Sequence, residues 1–575
     1  MPIQTTPPAP LSPVPFQIPA AFETTLPNGL RVVIFDDERL PLVSYRLAFF
    51  SGDAHDPKGN TGLTSAMVSM MTEGTDDYSS RELAEKIERL GASLNVSASD
   101  DFTIVSASTL SMYSADILDL IAEVVFQPTF PEAELDLYRR NTVENLKYQR
   151  SQPNFLANEQ TSRILYGTHP YATIAPKAAD VEKLKREDLV RLHESRLIPN
   201  NAVLVVVGNV DRDELLKKLE GHFGEWPKGE VPSVENPELP KRAERTITIV
   251  DRPGSAQTNI VLANLCVKRT HPDYFPLIVM NQVLGAGASS RVFMNLREEK
   301  GYTYGAYTRM DMKRLAGDIE ATAEVRTSVT GDSIKEFFYE LNRIRDERVP
   351  DEELNDAKNY LTGVFPLRAE TQEGMTGLIV NQQLYGLPAD YLQSYRDNVA
   401  AVTADEVQRV AREHIQPESL AIVLVGDAGE IIPQVREYAS SIEVFDTEGH
   451  SKDLAEYEHS EAEADANVAG TWTLSLDFQG QAVPVTLTVT QDGTAITGNL
   501  MTMLGAGEIK SGSVSGSKFT AIAVTDLQGQ SLELSINGKV TADSMSGSIT
   551  APIVPDPLTF SGSRSKESQS ASSEA

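Results

Sequence analysis

The strongest constraint on this chain is that it repeats itself. "RLIPNNAVLVVVGNVD" (Arg196–Asp211) is echoed by "HIQPESLAIVLVGDAG" (His414–Gly429). Each is a short turn, a continuous apolar strand, then glycine and a polar residue. Gly208 and Gly426 are 218 residues apart. "ILYGTHPY" and "QLYGLPADY" put Gly167 and Gly386 219 apart, and "FPEAELDLYRRN" and "VPDEELNDAKNY" put Pro131 and Pro350 at the same spacing. "SSRELAEKIERLGASLNVSAS" matches "SSRVFMNLREEKGYTYGAYTR", with Gly91 and Gly301 210 apart. Four matches in one order at a nearly constant offset imply a duplicated unit. The two halves span about 23–226 and 243–444.

Each half reads alike. A strand pair opens it ("LRVVIFDD", "VSYRLAFF"; "RTITIVD", "TNIVLANL"). A helix follows, then a second helix ending at glycine, then two strands of alternating polarity ("SLNVSASDDFTIVSAST"; "GAYTRMDMKRLAGDIEATAEV"). Period-two alternation predicts an antiparallel sheet with one buried face. "ADILDLIAEVVF" and "DSIKEFFYELNRI" read as amphipathic helices, and the prolines of "FPEAEL" and "VPDEEL" as helix starts. A final strand is expected to close each sheet. The fold class is therefore α+β, with strands and packed helices in layers.

The flanks differ in composition. Residues 1–22 are proline-rich and read as an extended tether. A proline-rich, charged linker occupies 227–242, and an acidic one occupies 445–466. Residues 467–565 read as a small antiparallel barrel or sandwich, with turns at "QDG", "SGS", "NGK" and "MSGS". The tail 566–575 is expected to be disordered.

Charge excludes some functions. The chain has 575 residues and a formal charge of −31, the wrong sign for nucleic acid or an anionic lipid surface. No apolar run is long enough to span a bilayer. The single cysteine, Cys266, can form neither an internal disulfide nor a cysteine zinc site, and reads as a buried small hydrophobe.

Taken together, the two-half pattern, the opening "LPNGLRVVIFDD", the phrase "TEGT" after a helix and "SSRVFMNLREEKGYTYGA" resemble the insulinase and mitochondrial processing peptidase family of inverted zinc peptidases. The resemblance covers about 23–444 and is strongest to the non-zinc-binding subunit of the bacterial heterodimeric type. It implies that the two halves form half of a clamshell. It also implies an H-x-x-E-H motif on the first helix, in which two histidines four apart bind zinc, the glutamate activates water and a later glutamate completes the site. This chain reads "GLTSAMVS" there. Ser65 and Ser69 stand at the histidine positions and Val68 at the glutamate. Glu144, in "RRNTVENLKYQR", is the possible remnant of the distal ligand. A serine hydroxyl is a poor zinc ligand and valine takes no proton, so no metal is expected on this chain.

In the second half the resemblance implies that Arg297 and Tyr304, in "LREEKGYTYGA", face a zinc site from across a chamber. Arginine would offer its planar fork to substrate carbonyls, and tyrosine a hydroxyl to a developing oxyanion. Tyr302 and Tyr307 read as packing residues. The leading expectation is a non-zinc subunit of a heterodimeric metallopeptidase, inactive alone, with zinc on a homologous partner subunit and unfolded peptides as substrates. The alternatives are an inert scaffold or peptide-binding protein of the same fold, and an independent hydrolase with an unrecognised site. The proline-rich start suits a bacterial periplasm or cell envelope. "LGAGASSR" (Leu284–Arg291) has phosphate-loop glycines without the following G-K-[ST] and reads as a turn. "VVVGNVD" reads as a structural strand end, and Trp472 as the plug of the C-terminal barrel.

Overall fold

The computed structural model describes residues 18, 21–457, 466–478, 481–502, 505–527, 530–550 and 557–565. The expected tether, the core of the acidic linker and the tail lie largely or wholly outside the described residues. The chain forms two compact units, Met1–Lys452 and Asp453–Ala575.

The first unit holds two sheets. Strands β1 (Phe22–Thr25), β2 (Arg31–Asp36), β3 (Leu42–Phe49), β4 (Ser93–Ala98), β5 (Thr103–Leu110) and β6 (Ala202–Gly208) form one, in the order β1-β2-β6-β3-β5-β4. Strands β7 (Thr246–Asp251), β8 (Gln257–Cys266), β9 (Thr303–Met312), β10 (Gly317–Arg326), β11 (Ala421–Gly426), β12 (Ser441–Phe445) and β13 (Ser451–Lys452) form the other, in the order β13-β12-β7-β11-β8-β10-β9. The core of the second order repeats the first, so the duplication in sequence is a duplication in topology. The edge beside the opening strand differs: β1, preceding it, fills that place in one half, and β12, at the end of the half, fills it in the other. The second sheet thus runs into the stretch read as the start of the acidic linker.

The repeated apolar strand of each half lies inside its sheet. β6 inserts between β2 and β3, parallel to β2, and β11 between β7 and β8, parallel to β7. The opening strands are therefore not partners. The reason lies in the run "AVLVVVG", every residue of which is buried. A strand apolar on both faces needs cover on both, which only a central position provides.

That cover is exchanged between the halves. Leu204 and Val206 face the first half's own helices, whereas Val203, Val205 and Val207 pack with Met375, Ile379, Val380 and Leu384 on the second half's helix Gln372–Leu384. Reciprocally, Leu156, Ala157 and Leu165 on helix Pro153–Tyr166 pack against Ala421, Val423 and Val425 of β11. Full burial of each such side chain is worth about 1.5–3 kcal/mol, so neither sheet is complete without the other half.

The second unit is a closed eight-stranded barrel, β14 (Gly470–Phe478), β15 (Gln481–Asp492), β16 (Ala495–Thr502), β17 (Gly505–Ser515), β18 (Lys518–Leu527), β19 (Gln530–Thr541), β20 (Ser544–Thr550) and β21 (Leu558–Arg564), with β21 returning to β14. Trp472 is fully buried in it and donates its indole N–H to the Val468 carbonyl at 2.9 Å. Two expected turns are strand interiors instead: "NGK" lies in β19 and "MSGS" in β20. At Gly538 the Phe519 ring, and at Gly547 the neighbouring β19 backbone with the Phe560 ring, lie where a side chain would stand. The pattern marked close packing rather than a bend.

Candidate functional site

The helix Leu63–Met70 begins at Gly62, whose φ of +85° favours glycine. Its start is capped from six residues upstream. One Asp56 carboxylate oxygen accepts the N–H groups of Gly62 (2.7 Å) and Leu63 (3.0 Å), and the other accepts the N–H (2.9 Å) and hydroxyl (2.6 Å) of Thr64. Three of the helix-end donors are thereby satisfied. Leu63, Ala66, Met67 and Met70 join the first half's core.

The stripe where the resemblance would place a zinc motif makes local hydrogen bonds instead. Ser65 Oγ lies 3.0 Å from each oxygen of Asp53 and donates to that carboxyl. Ser69 Oγ donates to the Ser65 carbonyl at 2.8 Å. Val68 is only 4% exposed and belongs to the core. Tyr138, on helix Glu132–Ser151, places its hydroxyl against Ser69 and Thr142; burial first, then the Asp53 and Asp56 charges, raise its pKa. Burial, with the neighbouring Asp56 charge, pushes the Asp53 carboxyl up to about 7. Sequence reading singled out neither Asp53, Asp56 nor Tyr138. The available signal was "GDAHDPKGNTG", which sets two carboxylates before a helix that begins without a capping side chain of its own.

Glu144 does not complete this stripe. Its carboxylate is in solvent, 2.7 Å from Lys147. Among the described residues, one set of histidine and carboxylate groups is close enough to share an ion: His271, Asp273 and His414 in the second half. Arg409 already engages both Asp273 oxygens, at 2.6 and 3.2 Å, and His414 Nε2 lies 3.0 Å from one of them. The Arg409 guanidinium, helped by His414, holds Asp273 down at about 2. The arrangement is an ion-pair network with a guanidinium where a cation would sit.

The second-half motif is built differently. Arg297 lies in a π-helical turn, Met294–Glu299, a form found at functional sites more often than its rarity would suggest. Its guanidinium sits 4.8 Å from the Phe293 ring centroid and 3.5 Å from Glu298, with the side chain 45% exposed. The turn leads directly into β9, with the Tyr302 N–H donating to the Leu296 carbonyl at 2.9 Å. Among the described residues β9 is the last strand of its sheet and pairs with β10 alone. Its register slips between Ala323 and Val325, so Tyr304 and Gly305 together oppose Glu324. Such a bulge re-aims a side chain, and Tyr304 is 92% exposed. Tyr307 packs on Phe293 with ring centroids 5.5 Å apart, in keeping with a packing role, although it is 45% exposed.

Other marked positions are structural. Gly285, in "LGAGASSR", accepts the Thr308 N–H at 2.9 Å, and Thr308 occupies the space a side chain would need. Gly208 ends β6 and accepts from Asp37 at 3.0 Å. Burial pushes the Cys266 thiol up to about 12, which leaves it protonated and unreactive.

Comparison with known proteins bears on both halves. Residues 31–176 match the family model described as insulinase (peptidase family M16), and residues 183–361 the one described as the peptidase M16 inactive domain. A Bacillus subtilis protein named "Uncharacterized zinc protease YmxG" is 25% identical over 413 residues, which is 71% of this chain and 98% of the relative. A Helicobacter pylori protein named "Non-peptidase homolog YmxG" is 23% identical over 397 residues, 69% of this chain and 91% of that one. The crystal structure of a peptidase M16 inactive domain from Pseudomonas fluorescens superposes with a TM-score of 0.66 at 26% identity, covering 71% of this chain and 98% of that chain.

Proposed function

Because this chain belongs to the insulinase (M16) peptidase family, and its first helix carries serine, valine and serine on the stripe where that family is expected to hold zinc, we propose that it is the non-zinc subunit of a two-subunit metallopeptidase. The partner carries the metal and the general base. This subunit contributes Arg297 and Tyr304, binds the peptide and stabilises the charge that develops on the scissile carbonyl oxygen. The observation that carries the reading is Tyr304: a 92% exposed tyrosine on a bulged edge strand, just after an arginine on a π-helical turn. Packing alone gives no reason for a large ring to be held in solvent. The open edge of β9 can accept an unfolded peptide as an added strand, with backbone hydrogen bonds for affinity and side-chain pockets for selectivity.

The test is hydrolysis of an unstructured peptide by this chain, by a zinc-bearing homologue from the same genome, and by their mixture. Cleavage should need both subunits and should fall when Arg297→Ala or Tyr304→Phe enters the mixture. The name of the Helicobacter pylori relative favours a second reading, a scaffold or peptide-binding protein without catalysis. In that case the mixture is no more active than the partner alone, and Arg297→Ala weakens peptide binding only.

A further inference from the structure

The second half contains a cavity of about 420 Å³ that none of the chemistry above uses. It lies between the helices Tyr274–Leu284, Asp351–Ala369, Gln372–Leu384 and Tyr391–Ala401 and the end of β9. Four tyrosines line it, Tyr274, Tyr385, Tyr391 and Tyr395, together with two arginines, Arg269 and Arg368.

The walls are ordered by stacking. Tyr391 and Tyr395 have ring centroids 6.1 Å apart, Tyr395 stacks on Phe365 at 4.3 Å, and Tyr391 stacks on Phe275 at 5.9 Å. Arg269 is fixed in this cage, 3.6 Å from the Tyr274 ring centroid and 5.1 Å from that of Tyr391, with Nη2 donating to the Tyr391 hydroxyl at 2.6 Å. Among the described residues, neither Arg269 nor Arg368 is paired with a carboxylate, in a chain with 82 acidic residues against 51 basic ones. The acid in the lining, Asp311, has Lys313 at 3.6 Å. Burial pushes Tyr385 and Tyr395 up to about 12, so their hydroxyls stay neutral and can donate. The volume suits a small molecule.

We propose that this cavity binds an organic carboxylate with an aromatic body, supplied either as a free acid or as the C-terminus of a peptide. Arg269 and Arg368 take the carboxylate, and the tyrosine walls enclose the ring. Inorganic phosphate fits less well: it satisfies the arginines and leaves the aromatic walls without a partner.

The experiment titrates the full chain, by calorimetry or ligand-observed NMR, with four probes: N-acetyltyrosine, N-acetyltyrosinamide, a short peptide ending in free phenylalanine, and the same peptide amidated. At least one free acid should bind, about tenfold or more tightly than its amide. Which acid binds better identifies the source. Arg368→Gln, at an exposed position, should weaken binding about tenfold with the melting temperature unchanged. Arg269→Lys keeps the charge and loses the planar fork, and should also weaken it. Equal binding of acid and amide, no binding at about 10 mM, displacement by inorganic phosphate, or indifference to Arg368→Gln overturns the assignment.

Discussion

The first-half helix Leu63–Met70 and the second-half segment Met294–Met312 sit in halves with the same sheet order, and they have been treated in opposite ways. In the first, the side chains where the family motif would stand are held within the fold or on the helix itself: Val68 in the core, Ser65 on Asp53, and Ser69, though exposed, on its own helix carbonyl. In the second, Arg297 is half exposed and Tyr304 almost wholly so, on an edge strand with no neighbour beyond it in the sheet. One region spends its polar groups on packing and internal hydrogen bonds, while the other keeps polar groups in water. Two copies of one topology can therefore present very different surfaces while keeping the same underlying elements.

The largest expected effect tests whether the first stripe is truly core. Val68→Glu puts a carboxylate at a position 4% exposed within the first half's core. Urea denaturation should show a loss of about 2–4 kcal/mol. Ser69→His, at an exposed position beside the Tyr138 hydroxyl, should cost far less, under about 1 kcal/mol. A neutral Val68→Glu would show that the stripe is still open to water and would weaken the contrast between the halves.

The second prediction inverts the first. Tyr304→Phe and Arg297→Ala should each leave the urea midpoint within about 0.5 kcal/mol of the parent. Activity of the two-subunit mixture should fall about a hundredfold, the size expected for losing one donor to an oxyanion. A variant that loses stability in step with activity would place these residues in packing rather than chemistry. Smaller again is Asp56→Ala, which strips the cap from three helix N–H groups and should cost about 1–3 kcal/mol, seen as a lower midpoint and faster amide exchange at Gly62–Thr64.

How far the sequence could be read follows from what kind of signal each feature leaves. The duplication was legible because strand ends and helix starts recur as fixed glycines and prolines. Arg297 and Tyr304 were legible because they sit in a contiguous motif. The central place of β6 and β11 was written in their unbroken apolar runs, though which strands flank them was not. The exchange of helices Pro153–Tyr166 and Gln372–Leu384 between the halves left no local trace: an amphipathic helix shows that it has a buried face, and not whose sheet it covers. The Asp53–Ser65 pair was equally hidden, because the two side chains lie twelve positions apart in the chain and are brought together by the capped helix start.

That pair gives the smallest and most specific test. Asp53 is held at about 7 by burial and by the Asp56 and Asp100 charges, with Ser65 opposing, against about 3.9 in an unfolded chain. Between those values the folded protein binds more protons than the unfolded one, so stability is lost as pH rises from about 4 to about 7. Asp53→Asn removes this contribution and leaves an oxygen to accept from Ser65. Parent and variant should be alike near pH 4, and the variant should be more stable by about 1–2 kcal/mol at pH 8. Asp318, also raised to about 7 by burial, gives the same slope to both proteins, so the difference between their stability curves reports Asp53 together with the Asp56, Asp100 and Tyr138 groups that feel its charge. A constant offset at all pH values would mean that the Asp53 carboxyl is ionised in the folded state, and that the stripe, far from being closed, still holds a charge a cation could use.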